Sequence, residues 1–182
     1  MIPAVVTLEG PPGSGKSTAG RLVAQRLGLD YRSVGEVFRE EARRRGMSLA
    51  EFGRYAEAHP EVDQELDRSM QAYARPGFLL DGRVQGALCR RRGIPVIAIE
   101  VTADEEVRAR RLAGRDQLSA EAALEALRER EESEATRFER FYDIDLDLEE
   151  PDLLVDATSR TPQEVADAIV AFLEHPPPRA PA

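Results

Sequence analysis

The chain has 182 residues, 42% hydrophobic and 32% charged, which suits one domain with a sizeable core and excludes intrinsic disorder. Its net charge of −9 gives an overall field that does not attract nucleic acid, and no apolar run approaches the ~20 residues that span a bilayer. One cysteine, Cys89, excludes an internal disulfide, and the strand-like Ala4–Leu8 follows no basic segment, so a cytoplasmic protein without a secretory signal is expected.

In chain order, strand and helix signals alternate. An apolar run from Val5 to Gly10 reads as a strand, and Lys16 to Leu27 has helical spacing closed by Gly28. Asp30 to Ser33 is a short extended piece. Helices are predicted over Gly35–Arg45, stopped by Gly46, over Ser48–Ala58, stopped before Pro60, and over Glu61–Ala74. Phe78-Leu79-Leu80 is a buried strand, followed by a helix from Val84 to Arg92 that Gly93 closes. Ile94 to Val101 is apolar on both faces, as an interior parallel strand is. Helices over Asp104–Ala113 and Ser119–Tyr142, a strand at Asp152–Val155 and a helix over Pro162–Leu173 complete the pattern. The segment from His175 to Ala182 carries four prolines and is expected to be a disordered tail. Alternating strands and helices imply an α/β fold with a parallel sheet covered on both sides, over residues 1–174. The helical excursions at about 35–75 and 108–140 lie where substrate-closing arms and lids sit in this architecture.

Of the 25 basic residues, 24 are arginine, and the only lysine is Lys16. It falls in Gly10-Pro11-Pro12-Gly13-Ser14-Gly15-Lys16-Ser17, which satisfies G-x-x-x-x-G-K-[ST] between a strand and a helix. Glycines let the backbone turn its N–H groups onto phosphates, and the helix N-terminus adds positive potential. Lys16 is expected to reach the β- and γ-phosphates of ATP. The Ser17 hydroxyl is expected on Mg²⁺, and Thr18 completes the phosphate-binding stretch. A GTPase base-reading segment needs a second lysine, which the chain lacks, and the length sets aside motor and AAA-type ATPases in favour of a small phosphotransferase.

The acceptor side is read from three places. Asp81 ends the strand Phe78-Leu79-Leu80, where an acid orients the attacking group or holds the metal shell; Gly82 admits a ligand to the backbone, and Arg83 offers a fork for phosphate. Ser33 and Glu36 have capping-box spacing, and Arg39 lies one turn into the helix they open. Arg130, Glu134 and Arg137, at i, i+4 and i+7, share a helix face with the acid between the two guanidiniums. Arg108, Arg111 and Arg115 repeat the idea on the preceding helix. Arg43-Arg44-Arg45 and Arg90-Arg91-Arg92 read as solvated faces, and His59 and His175 have no metal-ligand spacing.

Together the phosphate loop, Ser33-Val34-Gly35-Glu36-Val37-Phe38-Arg39-Glu40, His59-Pro60-Glu61-Val62-Asp63, Asp81-Gly82-Arg83, the run from Arg130 to Phe138 and Phe141-Tyr142-Asp143-Ile144-Asp145 resemble the cytidylate kinases, specifically their short archaeal-type branch. The resemblance runs from about Ile2 to Leu173 and implies a P-loop NTPase fold with a monophosphate-binding arm and a lid. It implies transfer of the γ-phosphoryl of ATP to CMP or dCMP, with Mg²⁺. It puts Ser33, Gly35 and Arg39 at the monophosphate site, Arg83, Arg130 and Arg137 on phosphates, and Arg111 and Arg115 in the mobile lid. The larger bacterial members carry an acid after the Gly-Arg pair; here Val84 stands there, and Asp63 is the alternative reader of the base edge. Open beside this reading are another small P-loop kinase, acting on AMP, UMP, shikimate or a sugar acid, and a non-catalytic nucleotide-binding regulator. The expected partners are free nucleotides, with no nucleic-acid polymer and no membrane, and the expected state is a monomer.

Overall fold

In the computed structural model, which describes residues 2–146 and 149–175, the chain opens with β1 (Val5–Glu9), then the phosphate loop and α1 (Lys16–Leu27). β2 (Asp30–Ser33) leads into three helices, α2 (Val34–Arg44), α3 (Leu49–Ala58) and α4 (Pro60–Gln71). β3 (Phe78–Asp81), α5 (Gln85–Arg91) and β4 (Val96–Thr102) follow, then α6 (Glu105–Asp116) and α7 (Ala120–Tyr142), and finally β5 (Leu153–Asp156) and α8 (Pro162–Glu174). The boundaries fall within a few residues of those read from periodicity. Of the expected tail, residues 176–182 lie outside the described residues.

The five strands form one parallel sheet in the order β2-β3-β1-β4-β5. Buried on both faces, β1 is apolar nearly throughout: Val6 and Leu8 join the core beneath α1 and α8, while Val5 joins Leu80, Met70, Phe78 and Cys89 on the opposite face. The helices start where capping chemistry allows. Ser48 and Glu51 form a reciprocal capping box for α3, and Thr161 and Glu164 form one for α8, with Pro162 preset at the first helical position. At α2 only half of the expected box is made. The Ser33 hydroxyl accepts from the Glu36 N–H, but the Glu36 carboxylate turns outward to Arg21. Among the described residues no helix is long and apolar enough to cross a membrane.

Two consequences position the site. β3 and β1 are neighbours, so Asp81 and the phosphate loop leave the sheet side by side, tied by Gly82 N–H donating to Leu8 O at 3.1 Å. The α2–α4 excursion and the α6–α7 pair then close over this edge from either side, with α3 packed along α7.

Candidate active site

The loop geometry follows from its glycines. Gly10 has φ 131°, and a Cβ there would sit 2.0 Å from Val101 O, so no other residue allows β1 to turn into the loop beside β4. Gly15, in the left-handed region, delivers the chain to α1, whose first turn contains no acid to compete with a bound anion. The loop carbonyls are held from behind. Arg111 donates to Ser14 O at 2.8 Å and Ala157 O at 2.7 Å, while the buried Arg108 donates to Ala103 O at 2.8 Å and to Pro12 O at 3.4 Å, and pairs with Glu131. Arg108 and Arg111 therefore brace the loop, and the helix that carries them is fastened to it.

Lys16 opens onto a cleft of about 880 Å³ that runs from the loop to the wall between α3 and α7. Burial pulls its ammonium down to about 8, partly opposed by Asp81, with Arg130 adding to the depression. Beside it three hydroxyls converge on one carboxylate oxygen. Ser17 Oγ donates to Asp81 Oδ2 at 2.6 Å, Tyr31 OH at 2.5 Å and Ser33 Oγ at 3.4 Å. Sequence reading missed Tyr31, although the period of a strand was the available signal. Tyr31 and Ser33 are two apart on β2, and Ser33 is paired in register with Asp81. Guanidinium–ring contact with Arg21, 4.7 Å from the centroid, covers the outer side of Tyr31.

Across the cleft lies a second set of charges. Glu134, buried, binds Arg130 Nε at 2.8 Å and lies 3.0 Å from Arg83 Nε. Burial opposes its ionisation, yet Arg130, Arg83 and Lys16 outweigh that and hold its carboxyl down at about 2. Arg137 was expected to share Glu134 with Arg130. Instead its Nη1 donates to both oxygens of Asp63, at 2.5 and 2.6 Å, and its Nε is buried with no partner. The cause is position along the helix: Arg137 lies two turns, about 10 Å, beyond Arg130 on nearly the same face. There Asp63 of α4 meets it, 4% exposed and with no other ion pair among the described residues. Asp63, read from sequence as a base-edge acid, thus holds an arginine while still lining the cleft. Arg39 lines the cleft above Gly35, and no ion pair holds it among the described residues; burial, Arg115 and Arg130 all disfavour its charge. Arg115 also lines the cleft but is forked onto Asp116 at 2.7 Å.

Val84 is 1% exposed, clustered with Ala87, Phe138 and Ile144, and it presents an apolar surface where an acid was the alternative. Asp67 sits one turn along α4 from Asp63 and accepts from Gln85 Nε2 at 2.6 Å and Tyr142 OH at 2.8 Å. Burial pushes it up to about 6 against those hydrogen bonds. Among the described residues no cluster of three or more histidine, cysteine or acidic side chains could cage a metal. One hydroxyl and one carboxylate 2.6 Å apart at a phosphate loop are instead the sparse oxygen set that Mg²⁺ takes alongside nucleotide phosphates.

A family model described as an AAA domain matches residues 9–128. The length argument against AAA-type ATPases thus sets aside larger enzymes of that kind, not the domain class. Curated cytidylate kinases match over nearly the whole chain. That of Sulfurisphaera tokodaii is 37% identical, covering 93% of this chain and 94% of its own length; that of Methanocaldococcus jannaschii is 35% identical, covering 94% and 98%. The Aeropyrum pernix protein is 42% identical over 76% of this chain and 80% of its own. The chain belongs to the cytidylate kinase family. It is an ATP-dependent phosphotransferase on a P-loop kinase fold. Solved shikimate kinases from Bacteroides thetaiotaomicron and Aquifex aeolicus share that fold, with TM-scores of 0.62 and 0.54 at 13% and 19% identity, covering 94% and 93% of this kinase and 98% and 96% of their own chains.

Proposed function

We propose that this kinase transfers the γ-phosphoryl of ATP to CMP or dCMP, giving ADP and the corresponding diphosphate. The observation that carries the reading is a single cleft in which Lys16, Ser17 and Asp81 face Arg39, Arg83 and Arg130. In this reading the first set takes the ATP phosphates and the second the acceptor phosphate. The cytidylate kinase relatives supply the acceptor's identity.

In this reading Gly10, Pro11, Pro12, Gly13, Ser14, Gly15 and Thr18 wrap the ATP phosphates, and Lys16 spans the β- and γ-phosphoryl oxygens. Ser33, Gly35, Arg39 and Arg83 bind the acceptor phosphate. One of its oxygens attacks the γ-phosphorus in line while the bridging bond to the β-phosphate breaks and ADP leaves. Charge that spreads over the equatorial oxygens meets the desolvated Lys16 and Arg130, which Glu134 holds at 2.8 Å. Glu134 keeps Arg83 and Arg130 from swinging away. Arg137 and Asp63 lie toward the acceptor's nucleoside. Arg111 and Arg115 sit on the lid side, Arg111 through the loop it braces. Bound to Ser17 and Asp81, Mg²⁺ would neutralise charge on the ATP phosphates. Residues of about 35–75 act as the monophosphate arm and about 108–140 as the lid, in a monomer that works on free cytoplasmic nucleotides.

ADP release with CMP, dCMP, UMP, AMP and shikimate as acceptors tests this. Turnover with CMP or dCMP at least tenfold above the others is expected. Turnover with shikimate or AMP alone would replace the acceptor, and none with any of them would leave a nucleotide-binding regulator.

A further inference from the structure

Two local choices along the cleft wall run against ordinary helix chemistry, and they meet. Gly53 stands in the middle of α3, where a glycine weakens a helix relative to alanine. Ser133 stands in the middle of α7, where a serine hydroxyl ordinarily finds the carbonyl one turn back. Here it does not. Ser133 Oγ is buried with no hydrogen-bond partner. A Cβ on Gly53 would lie 3.4 Å from that same oxygen, so the hydroxyl stands against α3 backbone that Gly53 leaves bare. Both residues line the cleft.

The helical wheel says which part of the cleft this is. At 100° per residue Ser133 lies about 40° from Arg137 and about 60° from Arg130, displaced toward α3. Glu129 continues that side and pairs with Arg54 on α3, which confirms the direction. Arg130 and Glu134 face Lys16 and the phosphates, so Ser133 sits beyond them, next to Arg137, whose Nε is also buried and unpartnered. Two orphaned polar atoms one turn apart on α7, on residues that line the cleft, are groups awaiting a ligand's polar atom.

We propose that Ser133 is a specificity-determining residue whose hydroxyl hydrogen-bonds the nucleoside part of the acceptor, beside the α3 backbone that Gly53 leaves bare. This rests on the nucleoside monophosphate reading above. The chemistry is a hydrogen bond to a polar atom of the base or the sugar, and the two sources are separable by experiment.

The test compares wild type, Ser133→Ala, Ser133→Thr and Gly53→Ala for KM and kcat with CMP, dCMP and UMP, and for KM with ATP, alongside melting temperatures. In Ser133→Ala the acceptor KM is expected to rise about 5- to 20-fold with ATP KM within twofold, and the melting temperature to hold or rise, because no native hydrogen bond is lost. Ser133→Thr, which keeps the hydroxyl, retains acceptor KM within about threefold. An effect on CMP alone assigns the partner to the 2′-hydroxyl, an effect on CMP and dCMP but not UMP assigns it to the base edge, and an equal effect on all three assigns it to the 3′-hydroxyl or another group they share. Gly53→Ala sets a methyl against the same oxygen, 3.4 Å away, while favouring the helix, so it too raises acceptor KM in a protein at least as stable. This keeps the assignment testable should Ser133→Ala fail to fold. Acceptor KM unchanged in both alanine variants, or a melting temperature that falls in Ser133→Ala without a change in KM, would overturn the proposal while leaving the kinase reading intact. A wild-type enzyme that turns over no nucleoside monophosphate would overturn both.

Discussion

Lys16 is where composition, geometry and chemistry agree most closely. Its ammonium is desolvated, and no ion pair holds it among the described residues, so replacing it removes a charge the folded protein carries at a cost. Lys16→Ala is expected to lose at least 10²-fold in kcat while its melting temperature stays level or rises, and Lys16→Arg to restore little of the rate. Turnover assays beside thermal unfolding check this; a folded Lys16→Ala protein with wild-type turnover would remove the phosphate-loop assignment. Tyr31 is the opposite case. In the sequence it is one aromatic in a short strand, and its role as third donor to Asp81 exists only because β2 pairs with β3. Ser33 was legible because a helix begins there; its second role, toward Asp81, was not.

Elements were the most legible scale, for a physical reason. Strands and helices here are bounded by local signals: α1 by the phosphate loop and Gly28, α3 by Ser48 and Pro60, α8 by Thr161 and Pro162. What local signals do not carry is how one element's buried charge is met by another. Glu9, the last residue of β1, accepts from Gly86 N–H on α5 at 2.5 Å, and burial pushes its carboxyl up to about 7 against that bond, Arg90 and Arg83. Because the folded-state value lies above the unfolded one, the unfolded chain releases this proton first as pH rises from 4.5. Glu9 therefore subtracts stability progressively between about 4.5 and 7, and the loss is complete above that window. Glu9→Gln keeps an acceptor for Gly86. It should gain on the order of 1–3 kcal/mol over wild type at pH 8 and much less at pH 4.5. Denaturant unfolding at the two values checks it, and an equal gain at both would mean that the carboxylate is not the cause.

Across the whole molecule, the α2–α4 excursion and the α6–α7 pair are joined through charge. Asp63 belongs to α4 and Arg137 to α7, 74 residues apart in sequence and both nearly inaccessible. No spacing rule reveals such a pair, which is why the sequence placed Arg137 on Glu134. Arg137→Ala strands Asp63 and is expected to cost about 3–5 kcal/mol of stability as well as roughly 10-fold in kcat/KM, through weaker acceptor binding. Adding Asp63→Asn should return much of the stability and none of the rate, read by unfolding and turnover on the same samples. A double variant that regains activity would make the pair purely structural. The arginine bias that runs through the chain has one more consequence. With 24 guanidiniums and one ε-amine, an amine-selective acylating reagent meets a single side-chain amine, and the depressed pKa of Lys16 leaves more of it in the nucleophilic form than an ordinary surface lysine has at neutral pH. The chain thus carries a built-in chemical tag at its own phosphate loop, one that nucleotide would shield.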